Sequence, residues 1–117
     1  MTTKEIANRL VELLRQGQFE TAQKELFAPD AISVEPAFTG QAPTEGINAI
    51  VENGVQFRAS VEAWHGLSVS EAVSSANHIS LALLVEATMK GQGRITMDEI
   101  IVYKVQDGKI VHEQFFY

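Results

Sequence analysis

Glu99 and Glu113 are the residues of this chain best placed by type and spacing to do chemistry. Both fall in stretches of apolar–polar alternation. A strand there puts Glu99 on one face with Met97, Ile101 and Tyr103, and Glu113 with Val111, Phe115 and Tyr117. A carboxylate on an apolar face loses hydration, and two of them repel. At least one should titrate high, and such a pair can share one proton. Perturbed carboxyls in a cleft are candidates for general acid–base work. The competing reading places both near the rim of the sheet, in contact with water, because structural carboxylate pairs shift in the same way.

Whether the two acids share a face depends on strand register. Three strands are expected over Ile79–Met89, Arg94–Val105 and Lys109–Phe116, joined at glycine turns. With Gly91-Gln92-Gly93 and Gln106-Asp107-Gly108 as three-residue loops, Val85 opposes Glu99, Ile101 opposes Glu113 and Glu99 opposes Phe115. One face then carries Ile79, Leu81, Leu83, Val85, Ala87, Met97, Ile101, Tyr103, Val111, Phe115 and Tyr117 around the two glutamates, which become diagonal neighbours roughly 7 Å apart. The opposite face mixes Thr88, Asp98, Lys104 and His112 with Ile100, Val102, Ile110 and Phe116, a pattern that suits solvent or a second copy of the chain. A two-residue Asp107-Gly108 turn would exchange the faces of the last strand, sending Glu113 outward and His112 inward.

Further candidates lie upstream. Glu35, before Pro36, is either a pocket base or a solvated carboxylate at a strand end. His65 shares the parity of Leu67 and Val69 and is expected to point inward, as a hydrogen-bonded core histidine or as a proton shuttle beside the acids. By the same parity Trp64 covers the outside. Tyr103 and Tyr117 combine apolar bodies with a hydroxyl that needs a partner, here a ligand carbonyl or a glutamate. Phe38, in a proline-bounded loop, is a lid or a side chain folded onto the core. His65 and His112 fall on opposite faces, so no metal site is expected. No serine stands in a glycine elbow and there is no cysteine, so nucleophilic catalysis has no support.

The elements that position these residues follow from punctuation and period. Thr2 and Glu5 fit a capping box ahead of Ile6, Leu10, Leu13 and Leu14 at helical spacing, and Gly17 ends that helix. A second helix runs from about Phe19 to Phe27 and stops at Ala28-Pro29-Asp30. Ala31 to Glu35 reads as a short strand and Pro36 to Glu45 as a loop. Gly46 opens a third helix with Ile47, Ile50, Val51 and Phe57 as its stripe, and the chain turns extended near Val61. From Trp64 to Val73 the period is two, and Ser74 to Asn77 is a turn. Helices first and a meander last indicate an α+β domain with helices on one face of the sheet.

Composition bounds the reading. A chain of 117 residues forms one domain and buries roughly two-thirds of its unfolded surface, enough for a core without staples. The absence of cysteine excludes disulfides and thiolate metal sites. No signal-peptide run opens the chain and no apolar stretch is long enough to span a membrane, so a cytoplasmic protein is expected. A net charge of −6 with scattered Lys and Arg argues against nucleic acid.

The order helix–helix–strand–helix–four strands resembles the nuclear transport factor 2-like superfamily. The closing segment Met97-Asp-Glu-Ile-Ile-Val-Tyr-Lys-Val-Gln-Asp-Gly-Lys-Ile-Val-His-Glu-Gln-Phe-Phe-Tyr117 resembles SnoaL-like domains, and the resemblance covers residues 1–117 as one domain. It implies a cone: a strongly curved, mainly antiparallel sheet wrapped around three helices, a cystatin-like α+β barrel open at one end. The fold serves isomerases, polyketide cyclases, dehydratases, binding proteins and association modules, so it fixes no activity. Ala31-Ile-Ser-Val-Glu35-Pro36 resembles the ketosteroid isomerase segment that carries the catalytic base, which implies that role for Glu35. The donors of that enzyme's oxyanion hole fall near Leu10 and Ile101, which cannot donate. The histidine and aspartate of SnoaL-like cyclases fall on Glu113 and Phe115, so one acidic group remains and the pairing is lost.

The expectation is therefore a pocket for a small, largely apolar ligand, with Glu35, Glu99, Glu113 and His65 as proton-transfer candidates and Phe38, Met97, Tyr103, Phe115 and Tyr117 as ligand contacts. Proton transfer beside a carbonyl, as in an isomerase, cyclase or dehydratase, needs no cofactor. The alternative is a non-catalytic binding or association module. Either is compatible with a homodimer through Ile100, Val102, Ile110 and Phe116.

Overall fold

A computed structural model describes residues 1–117. Helix α1 (Thr3–Arg15) is nucleated by the expected capping box. The Thr2 hydroxyl accepts from the Glu5 backbone N–H at 3.1 Å, and the Glu5 carboxylate accepts from the Thr2 N–H at 2.8 Å. Its apolar stripe, Ile6, Leu10, Leu13 and Leu14 among others, is buried. Helix α2 (Phe19–Leu26) follows and runs straight into strand β1 (Phe27–Val34). The strand thus starts four residues before the expected Ala31. Ala28-Pro29-Asp30 does not interrupt it, because the β1 register shifts between Phe27 and Ile32 and the proline sits in that irregularity.

A 3-10 turn (Ala37–Thr39) and the two-residue strand β2 (Thr44–Glu45) lead to Gly46, whose φ of 91° only glycine adopts easily. Helix α3 (Ile47–Ser60) follows. Strands β3 (Val61–Val69), β4 (Val73–Ser74), β5 (His78–Met89), β6 (Gly93–Gln106) and β7 (Lys109–Phe116) complete the chain. The sheet order is β2-β1-β7-β6-β5-β3, with β4 on β5; β1 and β7 run parallel and the other pairs antiparallel. The helices pack against one face, where Ile6, Leu10, Leu13, Leu26, Ile79, Tyr103 and Ile110 form the most buried part of the core. The expected α+β architecture, three helices and a large curved sheet, is the one observed.

Register decides which side chains reach that face. The β5–β6 hairpin closes at Met89 and Gly93 across Lys90, Gly91 and Gln92, so its connection is odd but one residue earlier than expected. Every pairing moves by two residues and every face is kept: Leu83, not Val85, opposes Glu99. The β6–β7 hairpin differs in kind. Asp107 (φ 52°) and Gly108 (φ 75°) form a two-residue left-handed turn, and Gln106 pairs with Lys109. That turn alone would send Glu113 to solvent. It does not, because Val105 pairs with Ile110 while Lys104 pairs with His112, leaving Val111 as an extra residue. The bulge restores the parity. Its by-product corrects one expectation: Ile110 is fully buried in the core and is no part of the outer face.

A second bulge changes β3. Trp64 pairs with Ala87 and Gly66 with Glu86, so His65 is the extra residue. Trp64 therefore turns to the inner face and His65 to the outer one, the reverse of simple alternation.

Candidate functional site

A cavity of about 260 Å³ lies between the helices and the inner face of the sheet. Of the residues expected at a site, Glu35, Met97, Glu99, Tyr103, Glu113, Phe115 and Tyr117 all line it. His65 does not. Displaced by the bulge, it is exposed, and its Nε2 lies 2.6 Å from the Thr88 hydroxyl on the outer face. Phe38 is 75% exposed and stands outside the cavity with its ring edge-on to Tyr117, centroids 5.9 Å apart, at the rim.

The β1–β6–β7 end holds three carboxyls in different surroundings. Glu113 is 6% exposed and pairs across the parallel strands with Ser33, whose hydroxyl donates to its Oε1 at 2.8 Å. Burial pushes its carboxyl up to about 7; the Ser33 hydrogen bond opposes this, and the charges of Glu35 and Glu99 reinforce it. Glu99 is 5% exposed and has no hydrogen-bond partner. Burial, then the nearby Glu35 charge, pushes it up to about 7 as well. Glu35, half-buried beyond the end of β1, accepts from the Tyr117 hydroxyl at 2.7 Å. Burial and that hydrogen bond push the Tyr117 hydroxyl up to about 12.

The two buried glutamates are not diagonal neighbours as expected. With the register moved by two, Glu113 stands opposite Tyr103, and Glu99 lies four residues further along β6, about 13 Å of strand. Desolvation therefore outweighs their mutual repulsion. Tyr103 makes no side-chain hydrogen bond; its ring packs edge-on to Phe27 at 6.3 Å, and burial, with the charges of Glu113 and Glu99, pushes its hydroxyl well above the usual range. It remains a protonated donor at any ordinary pH.

The α2–α3–β3 end is built otherwise. Arg58 donates to both oxygens of Glu20 at 3.1 Å and to the Gly17 carbonyl at 2.7 Å. Its guanidinium lies over Phe19 (5.8 Å) and Trp64 (5.6 Å), and Phe57 meets Trp64 edge-on at 6.2 Å. Gln23 Oε1, in the same wall, is buried and lacks a partner. Sequence reasoning missed this end, together with Ser33. Gly66 inside a strand was the available mark of the bulge that turns Trp64 inward; nothing in the sequence pairs Arg58 with Glu20 or Ser33 with Glu113. No group of three or more His, Asp or Glu side chains is arranged to hold a metal ion, and no helix is long and apolar enough to cross a membrane.

The arrangement can bind a small molecule in a mostly apolar wall, accept a proton at Glu113 or Glu35, and donate a hydrogen bond from Tyr103 or from protonated Glu99. Comparisons with known proteins agree with the fold and stop short of an activity. No curated protein matches the sequence. A crystal structure from Mesorhizobium loti, provisionally described as a SnoaL-like polyketide cyclase, is 34% identical over the whole of both chains with a TM-score of 0.91. A ketosteroid isomerase-like fold from Catenulispora acidiphila, solved with trimethylamine, is 20% identical over 99% of this chain and 87% of its own, with a TM-score of 0.74. A cystatin-like fold from Xanthomonas campestris is 17% identical over 99% of this chain and 90% of its own, with a TM-score of 0.78. The family model for the SnoaL-like domain matches residues 1–117, and the chain belongs to that family, with a fold related to those of polyketide cyclases and isomerases.

Proposed function

We propose that the chain binds a small, largely apolar molecule in its cavity and moves a proton beside a carbonyl of that molecule, as an isomerase, cyclase or lyase does without a cofactor. The observation that carries this reading is the division of labour among the cavity's polar groups. Glu113 and Glu35 are held by O–H donors, from Ser33 and Tyr117, which orients them as bases. Tyr103 and Glu99 are left without partners and face the same space, as donors to an oxygen that gains charge. A carboxyl titrating near 7 is matched to proton transfer at neutral pH.

The test is exchange of α-hydrogens in D2O, followed by NMR over a panel of cyclic ketones and enones. The wild-type protein should accelerate exchange for at least one member. Glu113→Gln and Glu35→Gln should each slow it by about 100-fold or more while leaving the circular dichroism spectrum intact. Full activity in both variants would end the proton-transfer reading.

A non-catalytic association module is the second reading, and the outer face favours it. Ile100 and Phe116 pair across β6 and β7 and are 46% and 48% exposed, with Val102 beside them. A dimer through this face is our proposal too, without Ile110. Ile100→Glu should convert it to a monomer in light scattering, and a wild-type monomer would exclude it.

A further inference from the structure

We infer that the ligand carries a protonated amine on its apolar frame and that Glu99 holds its charge. This deepens the reading above and rests on the cavity being a ligand site.

The first argument is charge. The wall holds four acids, Glu20, Glu35, Glu99 and Glu113, the tyrosines Tyr103 and Tyr117, and one base, Arg58. That base is already paired: its Nε and Nη2 donate to the two oxygens of Glu20 and to the Gly17 carbonyl, and only Nη1 has no acceptor within the chain. An anionic ligand would find one cation, its charge already matched by Glu20, and three carboxyls at the strand end. A positive ligand group would find three acids with no counter-charge.

The second argument is the unmet acceptor. Glu99 is 5% exposed, lines the cavity and is hydrogen-bonded by nothing. Its oxygens are not sealed off: Gln23 Oε1 alone is a fully enclosed side-chain atom without a partner, so the Glu99 carboxyl is open to whatever fills the cavity. Glu35 and Glu113 already have donors; Glu99 has only the cavity. Gln23 Oε1 is buried and unpartnered in the same wall, an amide that a polar ligand group can meet. The third argument is the lining. Phe27, Tyr103, Phe115 and Tyr117 surround this end, and aromatic faces attract organic cations. With Glu99 assigned to the ammonium, Glu113 and its cross-strand partner Tyr103 remain as base and donor.

Isothermal titration of the full chain with benzylammonium and with its neutral analogue benzyl alcohol tests this, at pH 6 and pH 8 in buffers of different ionisation enthalpy. The groups facing Glu99 are Glu35 from the end of β1, Tyr103 on β6, and Glu113 and Tyr117 from β7; the helices contribute Glu20 and Arg58. Benzylammonium should bind, with Kd falling about tenfold from pH 6 to pH 8 and about one proton released at pH 6 but almost none at pH 8, because a carboxyl that titrates near 7 must ionise to pair with it. Benzyl alcohol should bind at least about tenfold more weakly at pH 8, without proton release. Glu99→Gln should erase both the preference and the proton release. Alcohol binding as tightly as the ammonium, or a preference that survives Glu99→Gln, overturns the inference and leaves the pocket reading standing. Binding of neither probe overturns the inference and counts against the cavity as a site for molecules of this size.

Discussion

One cavity has two acidic ends, and they neutralise their acids by opposite means. At the helix end Glu20 meets Arg58: partial burial raises its carboxyl, but the Arg58 hydrogen bond and charge, with its own backbone N–H and Lys24, together outweigh this and hold it below the usual range. At the strand end Glu99 and Glu113 meet no base, and both are pushed up to about 7. An acid answered by an arginine is a finished piece of structure, since its charge, hydrogen bonds and packing are all supplied from within the chain. An acid answered only by a proton is unfinished, because the proton can leave or be exchanged for a ligand group. Function is therefore sought at the strand end.

The largest expected effect is that one substitution carries opposite signs at the two ends. A carboxyl whose folded pKa exceeds its ordinary 4.5 stabilises the fold fully only below that value, and the stability is lost as pH rises towards 7. Wild-type stability should therefore fall between about pH 4.5 and pH 7, by up to about 3 kcal/mol for each of Glu99 and Glu113, less where their titrations couple. Glu99→Gln should recover most of its share at pH 8 and be nearly neutral at pH 4.5. Urea denaturation at both values checks this. A wild-type protein that gains stability steadily from pH 5 to pH 8 would break the comparison.

Glu20 has a lowered pKa, so its contribution is present above its ordinary value and is lost as pH falls through the folded one. Glu20→Gln should cost about 1 kcal/mol at pH 8, a modest figure because the pair is partly exposed to solvent. Arg58→Met should cost somewhat more, about 1–2 kcal/mol, since it also removes the cation from Phe19 and Trp64 and leaves Glu20 without its base. Quenching of the single tryptophan should change in this variant and not in Glu20→Gln, because Arg58 lies on the Trp64 ring. Unchanged fluorescence in Arg58→Met would remove the aromatic part of the account.

The two ends also differ in how far they could be read from residue order. The strand end rests on alternation, which is local and robust, and Glu99, Glu113, Tyr103 and Tyr117 all face the cavity as their parity demands. The capping box at Thr2 and Glu5 was legible for the same reason, since the whole signal lies within four residues. What failed was counting across bulges. Asp107-Gly108 carries the composition of a two-residue turn, yet Glu113 points inward only because Val111 adds a compensating residue that no composition marks. In β3 the extra residue is His65, and the error moved a histidine out of the site and left a tryptophan unrecognised within it. The Glu20–Arg58 pair spans 38 positions and depends on how α2 and α3 dock, which alternation cannot report.

The smallest expected effect sharpens the boundary between the cavity and solvent. Tyr117 is half exposed, donates to Glu35 at 2.7 Å and supports the exposed ring of Phe38. Tyr117→Phe keeps the ring contact and deletes only the hydroxyl, so it should cost about 0.5–1 kcal/mol, the net worth of one charge-assisted bond near water. Its clearer signature is spectroscopic. The chain has two tyrosines, one pushed up to about 12 beside Glu35 and the other raised well beyond its usual range by burial. An alkaline ultraviolet titration of the folded protein should show neither ionising near 10, and the Phe variant should lose one of the two steps. A tyrosine that titrates at its ordinary value in the wild-type protein, and disappears in the variant, would detach Tyr117 from Glu35. It would return that glutamate to solvent and leave Glu113 as the one oriented base of the strand end.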